Sequence, residues 1–144
     1  MEKELNSLDD LAQEAAALAA RLMPKEDGAT LVTLSGELGA GKTSFTQALA
    51  RAYGVEEQVT SPTFVLEKIY ALPSSAFARL VHIDAYRLKD GSELAPLGFD
   101  ELMRDPGTLI VLEWPERVAD GLPPTDVSIQ FTVREDESRT MTYA

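Results

Sequence analysis

Eight residues decide most of what this chain can fold into: Gly36-Glu37-Leu38-Gly39-Ala40-Gly41-Lys42-Thr43. They follow Ala29–Leu34, an apolar and β-branched run that reads as a buried strand. They precede Thr43–Tyr53, which reads as a helix closed by Gly54. Four positions of the pattern Gly-x-x-x-x-Gly-Lys-Thr are specified, so a chance match in a chain of 144 residues is roughly one in two hundred. Strand, glycine loop and helix, in that order, are what a phosphate-binding loop needs. The glycines let successive backbone N–H groups turn inward toward phosphate oxygens. The helix N-terminus adds partial positive charge. Lys42 supplies a point charge for the β- and γ-phosphates, and the Thr43 hydroxyl is a hard oxygen ligand for Mg²⁺. Gly36, Glu37, Leu38, Gly39, Ala40, Gly41, Lys42, Thr43 and the adjoining Ser44 are therefore the candidate nucleotide contacts.

Such a loop works with a carboxylate at a strand end. Two fit: Asp84 after Leu80-Val81-His82-Ile83, and Glu113 after Leu109-Ile110-Val111-Leu112. The second run is continuously apolar, as a central strand should be, which makes Glu113 the better metal partner, direct or through water. Asp84 could instead orient the attacking water or hold a switch segment. The catalytic candidates are thus Lys42, Asp84 and Glu113, with Thr43 and Glu113 at the metal. The loop Thr60-Ser61-Pro62-Thr63 stands where a switch segment touches the γ-phosphate in related architectures, although Ser, Thr and Pro also compose ordinary turns. Trp114, the sole tryptophan, could cover the nucleotide or simply pack at a core rim. His82, the sole histidine, lies inside a strand pattern and reads as a satisfied structural residue.

The remaining pattern predicts an α/β fold, a single P-loop NTPase-like domain over 1–144 with a mixed β-sheet flanked by helices. Ser7 reads as an N-cap, followed by Leu8, Leu11, Ala15, Leu18, Ala19 and Leu22 at helical spacing up to Pro24. Thr63–Leu72 and Phe77–Ile83 suggest an antiparallel hairpin. Ser92–Arg104 holds short helical patterns broken by Pro96 and Gly98, and Asp126–Arg134 with Arg139–Tyr143 suggest a closing hairpin.

The formal charge is −11. Nucleic-acid binding draws most of its affinity from Lys and Arg neutralising phosphates, so so acidic a chain is a poor candidate for gripping RNA or DNA by itself. It has no cysteine, which removes disulfides, thiolate metal sites and cysteine nucleophiles. No apolar run is long enough to span a bilayer, and Met1-Glu2-Lys3-Glu4 lacks the character of an export signal. A cytoplasmic protein without a membrane role is the expectation.

Taken together, Gly-Glu-Leu-Gly-Ala-Gly-Lys-Thr at 36–43, Ser-Pro-Thr-Phe at 61–64, His-Ile-Asp-Ala-Tyr-Arg-Leu at 82–88, Leu-Glu-Trp-Pro-Glu at 112–116 and Glu93-Leu94-x-x-Leu97-Gly98 resemble the TsaE (YjeE) family in order and spacing, over about residues 5–143. The resemblance implies a small ATPase that requires ATP and Mg²⁺ and supports threonylcarbamoyl modification of tRNA adenosine. It implies the TsaD and TsaB proteins as partners, TsaD performing the transfer, with tRNA reached only through that complex. Carried onto this chain, Thr43 and Glu113 would hold Mg²⁺. Asp84 and the Ser61-Pro62-Thr63 turn would sense the nucleotide, and Thr63 and Trp114 would touch it. Ala85 stands where the family often has a larger apolar residue, and Glu37 is an acidic variant within the loop. Two other readings compete. A small-molecule kinase normally needs an arginine-rich lid, and only Arg79 and Arg87 lie near the candidate segments. A regulatory GTPase would be expected to carry a guanine-reading Asn-Lys-x-Asp motif, which is absent.

Overall fold

In the computed structural model, which describes residues 2–37, 39–57, 59, 67–73, 75–136 and 138–143, the glycine loop leaves the middle of a mixed sheet. The strands are β1 (Glu2–Leu5), β2 (Thr30–Gly36), β3 (Glu67–Ala71), β4 (Arg79–Asp84), β5 (Thr108–Glu113), β6 (Val127–Val133) and β7 (Arg139–Tyr143). Their order across the sheet is β1-β7-β6-β2-β5-β4-β3. The four central strands β6, β2, β5 and β4 run parallel, and antiparallel pairings add β3 at one side and β7 with β1 at the other.

Burial follows from that order. Parallel central strands are covered on both faces and read as unbroken apolar runs, and every residue of β5 is buried. Alternation along the strands divides the core in two. Val32, Leu34, Leu109, Val111 and Leu80 face helices α1 (Leu8–Arg21) and α2 (Lys42–Ala52). Leu31, Ile110, Leu112, Val81 and Ile83 face the opposite layer. That layer holds a 3₁₀ segment, Gly91–Leu97, and the short helix α3 (Phe99–Met103).

The expected hairpins form, β3 with β4 and β6 with β7; the part of the first strand expected at 63–66 lies outside the described residues. The Ser7 hydroxyl caps α1 by accepting from the Asp10 N–H at 3.2 Å, while Asp10 accepts from the Asn6 N–H at 2.8 Å. Leu11, Ala15 and Leu18 are buried as the spacing required, but Leu8 is 75 % exposed. Strand β1 was not anticipated. Its sequence, Glu-Lys-Glu-Leu, is the charged composition that protects a sheet edge and offers no alternating pattern to read.

Candidate functional site

The three loop glycines hold backbone conformations that side chains disfavour: Gly36 at φ +140°, Gly39 at +79° and Gly41 at +116°. Gly36 closes β2 opposite Phe131 of β6. A Cβ there would press into the Phe131 carbonyl oxygen, with Phe131 C and Cβ at 3.2 Å. The residue is thus glycine both for its φ and for the close approach of the next strand. Gly41 is the N-cap of α2 and offers no side-chain cap, so the first helical N–H groups stay open toward the loop.

Lys42 opens α2 yet is only 5 % exposed. Its ammonium donates to the carbonyl oxygens of Gly36 and of Glu37, the latter at 3.1 Å, and sits 3.9 Å from the centre of the Trp114 ring. Burial pushes its pKa below the ordinary lysine value, and the carboxylates of Glu113, Glu116 and Asp84 oppose that shift.

The strand ends bring the acids to this point. Asp84 and Glu113 are register partners at the ends of β4 and β5, and both are buried. Because Leu109 and Val111 face α2, Glu113 at the next alternate position does too. The Thr43 hydroxyl lies 3.3 and 3.4 Å from the two Glu113 carboxylate oxygens. Asp84 Oδ1 accepts from the Tyr86 N–H at 3.0 Å, fixing the turn that leaves β4.

Trp114 has φ +63° and ψ +53°, the one non-glycine with positive φ among the described residues. Pro115 disfavours the right-handed helical region for the residue before it, and the Trp114 N–H donates to the Leu34 carbonyl at 3.1 Å. These restraints turn the indole toward Lys42 and against Tyr86, with ring centres 5.0 Å apart. A cavity of about 300 Å³ results, lined by Gly39, Gly41, Lys42, Thr43, Ser44, Asp84, Tyr86, Arg87, Glu113, Trp114 and Arg139. A second cavity of about 320 Å³ adjoins it, sharing Gly41, Ser44 and Arg139 and bounded by Leu5, Asn6, Ser7, Leu8 and Leu11.

Most of the candidate residues therefore converge. Gly36 and Glu37 sit at the loop's base as partners of Lys42, and Ala40 lines the second cavity. Leu38 and the Ser61-Pro62-Thr63 turn, Thr63 included, lie outside the described residues. Arg79 does not join the site. It binds Asp105 and Thr108 at the far ends of β4 and β5, because strand polarity places the two termini of β4 on opposite sides of the sheet. Arg139 and the β1–α1 junction were missed, since nothing in one sequence announces that a distant hairpin and a charged edge will meet the loop. His82 is buried inside β4, as its strand pattern predicts, but its link to Glu113 was missed. Its Nε2 contacts Glu113 Oε2 at 2.5 Å, and its place two residues before Asp84, on the same strand face, was the signal available.

Among the described residues there is no cluster of three or more His, Cys, Asp or Glu side chains suited to a metal. Mg²⁺ on a nucleotide does not need one, since it keeps waters and phosphate oxygens and takes one or two protein ligands. The hard oxygens of Thr43 and Glu113, a hydrogen-bond length apart, fit that role. Among the described residues no helix is long and apolar enough to cross a membrane.

Fold and loop together define an α/β protein whose mixed sheet carries a glycine-rich loop between its central strand and the first helix after it. Residues 5–141 match the model of the family described as "Threonylcarbamoyl adenosine biosynthesis protein TsaE". The chain is 40 % identical over 119 residues to the "tRNA threonylcarbamoyladenosine biosynthesis protein TsaE" of Treponema pallidum, covering 83 % of this chain and 84 % of the relative. It is 37 % identical over 113 residues to the protein of the same name from Bacillus subtilis, covering 78 % and 68 %. The crystal structure of Bacillus subtilis YdiB superposes with a TM-score of 0.78 at 28 % identity, covering 99 % of this chain and 83 % of that one. The chain belongs to the TsaE family, whose members serve tRNA threonylcarbamoyladenosine biosynthesis.

Proposed function

We propose that this chain is a P-loop ATPase that binds ATP with Mg²⁺ and uses its hydrolysis to drive or reset a TsaD–TsaB complex during threonylcarbamoyl modification of tRNA. The observation that carries the reading is the convergence of the positive-φ glycines Gly39 and Gly41, Lys42, and the Thr43–Glu113 contact on one cavity, with Gly36 at the loop's base accepting from Lys42. In this account the triphosphate lies in the loop, where backbone N–H groups and the start of α2 meet its charge. A phosphate seated there competes with the Gly36 and Glu37 carbonyls for the Lys42 ammonium. The nucleoside extends into the adjoining cavity past Gly41 and Ser44.

Thr43 and Glu113 would hold Mg²⁺, which supplies charge neutralisation at the β- and γ-oxygens when bound. Asp84 faces the same cavity and would orient the attacking water. Trp114 and Tyr86 wall the phosphate end against bulk solvent, so that fixed dipoles replace water around the developing charge. The catalytic assignments are thus Lys42, Asp84 and Glu113. The acidic balance of the chain supports a partner that is protein, with tRNA held elsewhere in the complex.

The test is Mg²⁺-dependent ATP hydrolysis by the purified chain, alone and with the matching TsaD–TsaB pair. Weak turnover alone and stimulation by the pair are expected. Hydrolysis that the pair leaves unchanged would remove the proposed pathway role while leaving the ATP site standing.

A further inference from the structure

We infer that His82 is a positioning residue for the metal site: it holds the Glu113 carboxylate in the orientation that serves Thr43 and Mg²⁺. This rests on the reading of Glu113 as the metal's carboxylate.

His82 has no exposed surface. Its ring sits on the sheet face that carries Glu113, one strand away, and Nε2 lies 2.5 Å from Glu113 Oε2. A carboxylate oxygen is an acceptor, so the contact is assigned with the ring donating from Nε2. The other nitrogen, Nδ1, is buried without a hydrogen-bond partner among the described residues. Leaving a buried acceptor unpaired carries a cost, and an apolar side chain at this strand position would avoid it. The histidine is therefore poorly suited to serve as filler. Its interaction is spent on one oxygen of the carboxylate whose two oxygens both face Thr43. With Oε2 pinned by the ring, the carboxylate keeps one rotamer, and its remaining lone pairs point at the loop. Carboxylates that ligate metals are commonly fixed by such outer partners, and losing one typically weakens metal affinity 10–100-fold.

The experiment measures binding of a non-hydrolysable ATP analogue by calorimetry across a series of MgCl₂ concentrations, and in EDTA. The proteins are the unmodified chain, His82→Leu, His82→Gln and Glu113→Gln. Gln carries an amide Nε2 donor as many bonds from the backbone as the imidazole Nε2, whereas Leu has none. His82→Leu should raise the half-saturating Mg²⁺ concentration about tenfold and leave affinity in EDTA unchanged. His82→Gln should recover most of the loss. Equal shifts in the Leu and Gln variants, or an equal loss of affinity in EDTA, would overturn the positioning role in favour of packing. Should circular dichroism find His82→Leu unfolded, His82→Met against His82→Gln gives the same comparison, and matching Mg²⁺ constants for those two would overturn it. A shift in Glu113→Gln with none in the His82 variants would overturn this proposal alone. An unmodified chain indifferent to Mg²⁺ would overturn the metal reading beneath it.

Discussion

Replacing Gly36 by alanine separates the geometry of the loop from its chemistry, because the cost can be worked from the backbone. Gly36 sits at φ +140°, a region in which a non-glycine residue costs about 1–3 kcal/mol. The added Cβ would also overlap the Phe131 carbonyl and crowd Phe131 Cβ. Both belong to the β2–β6 pairing, so relief requires moving backbone, about 1–3 kcal/mol more. The sum is about 4 kcal/mol, a large part of the ~5–15 kcal/mol that holds a domain folded. Gly39→Ala is the control. Its φ is +79° and a Cβ there meets nothing within 4 Å, so only the left-handed penalty of about 1–2 kcal/mol applies. With an m-value near ~2 kcal/mol/M, Gly36→Ala should lower the urea midpoint by about 2 M, and Gly39→Ala by about 0.5–1 M. Equal midpoints for the two variants would refute the close approach of β6 to the loop's first residue.

Three other expectations can be checked beside it. Phe131 is buried and meets Phe45 edge to face with ring centres 5.5 Å apart, so Phe131→Ala should cost about 3–5 kcal/mol in urea unfolding; a loss under about 1 kcal/mol would mean the β6–α2 packing is wrong. Glu113→Gln should leave nucleotide affinity in EDTA near that of the unmodified chain while abolishing most of its enhancement by Mg²⁺, and an equal loss in both conditions would contradict the division of labour with Lys42. Glu67 has a carboxylate oxygen buried without a partner among the described residues, and burial pushes its pKa above the ordinary glutamate value. A raised carboxyl pKa means the folded chain holds the proton longer, so stability falls as pH rises from the unfolded pKa through the folded one. Glu67→Gln should therefore stabilise the protein at about pH 7 and not at about pH 3.5, below the ordinary Glu value, and a gain of equal size at both would sink that assignment.

What could be read from the chain beforehand was whatever depends on local sequence. The loop's glycines had to be glycines, β5 had to be central because its run is wholly apolar, and Ser7 had to cap α1 because a hydroxyl there meets the Asp10 N–H. Two acids ending two apolar strands suffice to nominate Asp84 and Glu113. What escaped depends on which strands become neighbours. That β6 lies parallel beside β2, and so sets the constraint on Gly36, leaves no trace in either segment. Arg139 reaches the cavity only because β7 folds back antiparallel on β6, and Arg79 misses it because it sits at the other end of β4. His82 became legible once β4 and β5 were paired, for only then does its ring meet Glu113 across one strand spacing.

The most direct measurement is calorimetric titration of ATP into the purified chain in Mg²⁺, alongside Lys42→Ala. In the proposed ATP complex Lys42 supplies charge-assisted bonds worth about 1.5–3 kcal/mol, so the variant, confirmed folded by circular dichroism, should bind ATP about 10–100-fold more weakly. Undiminished ATP binding by a folded Lys42→Ala protein, or no ATP binding by the unmodified chain, would contradict the claim that this loop grips the triphosphate.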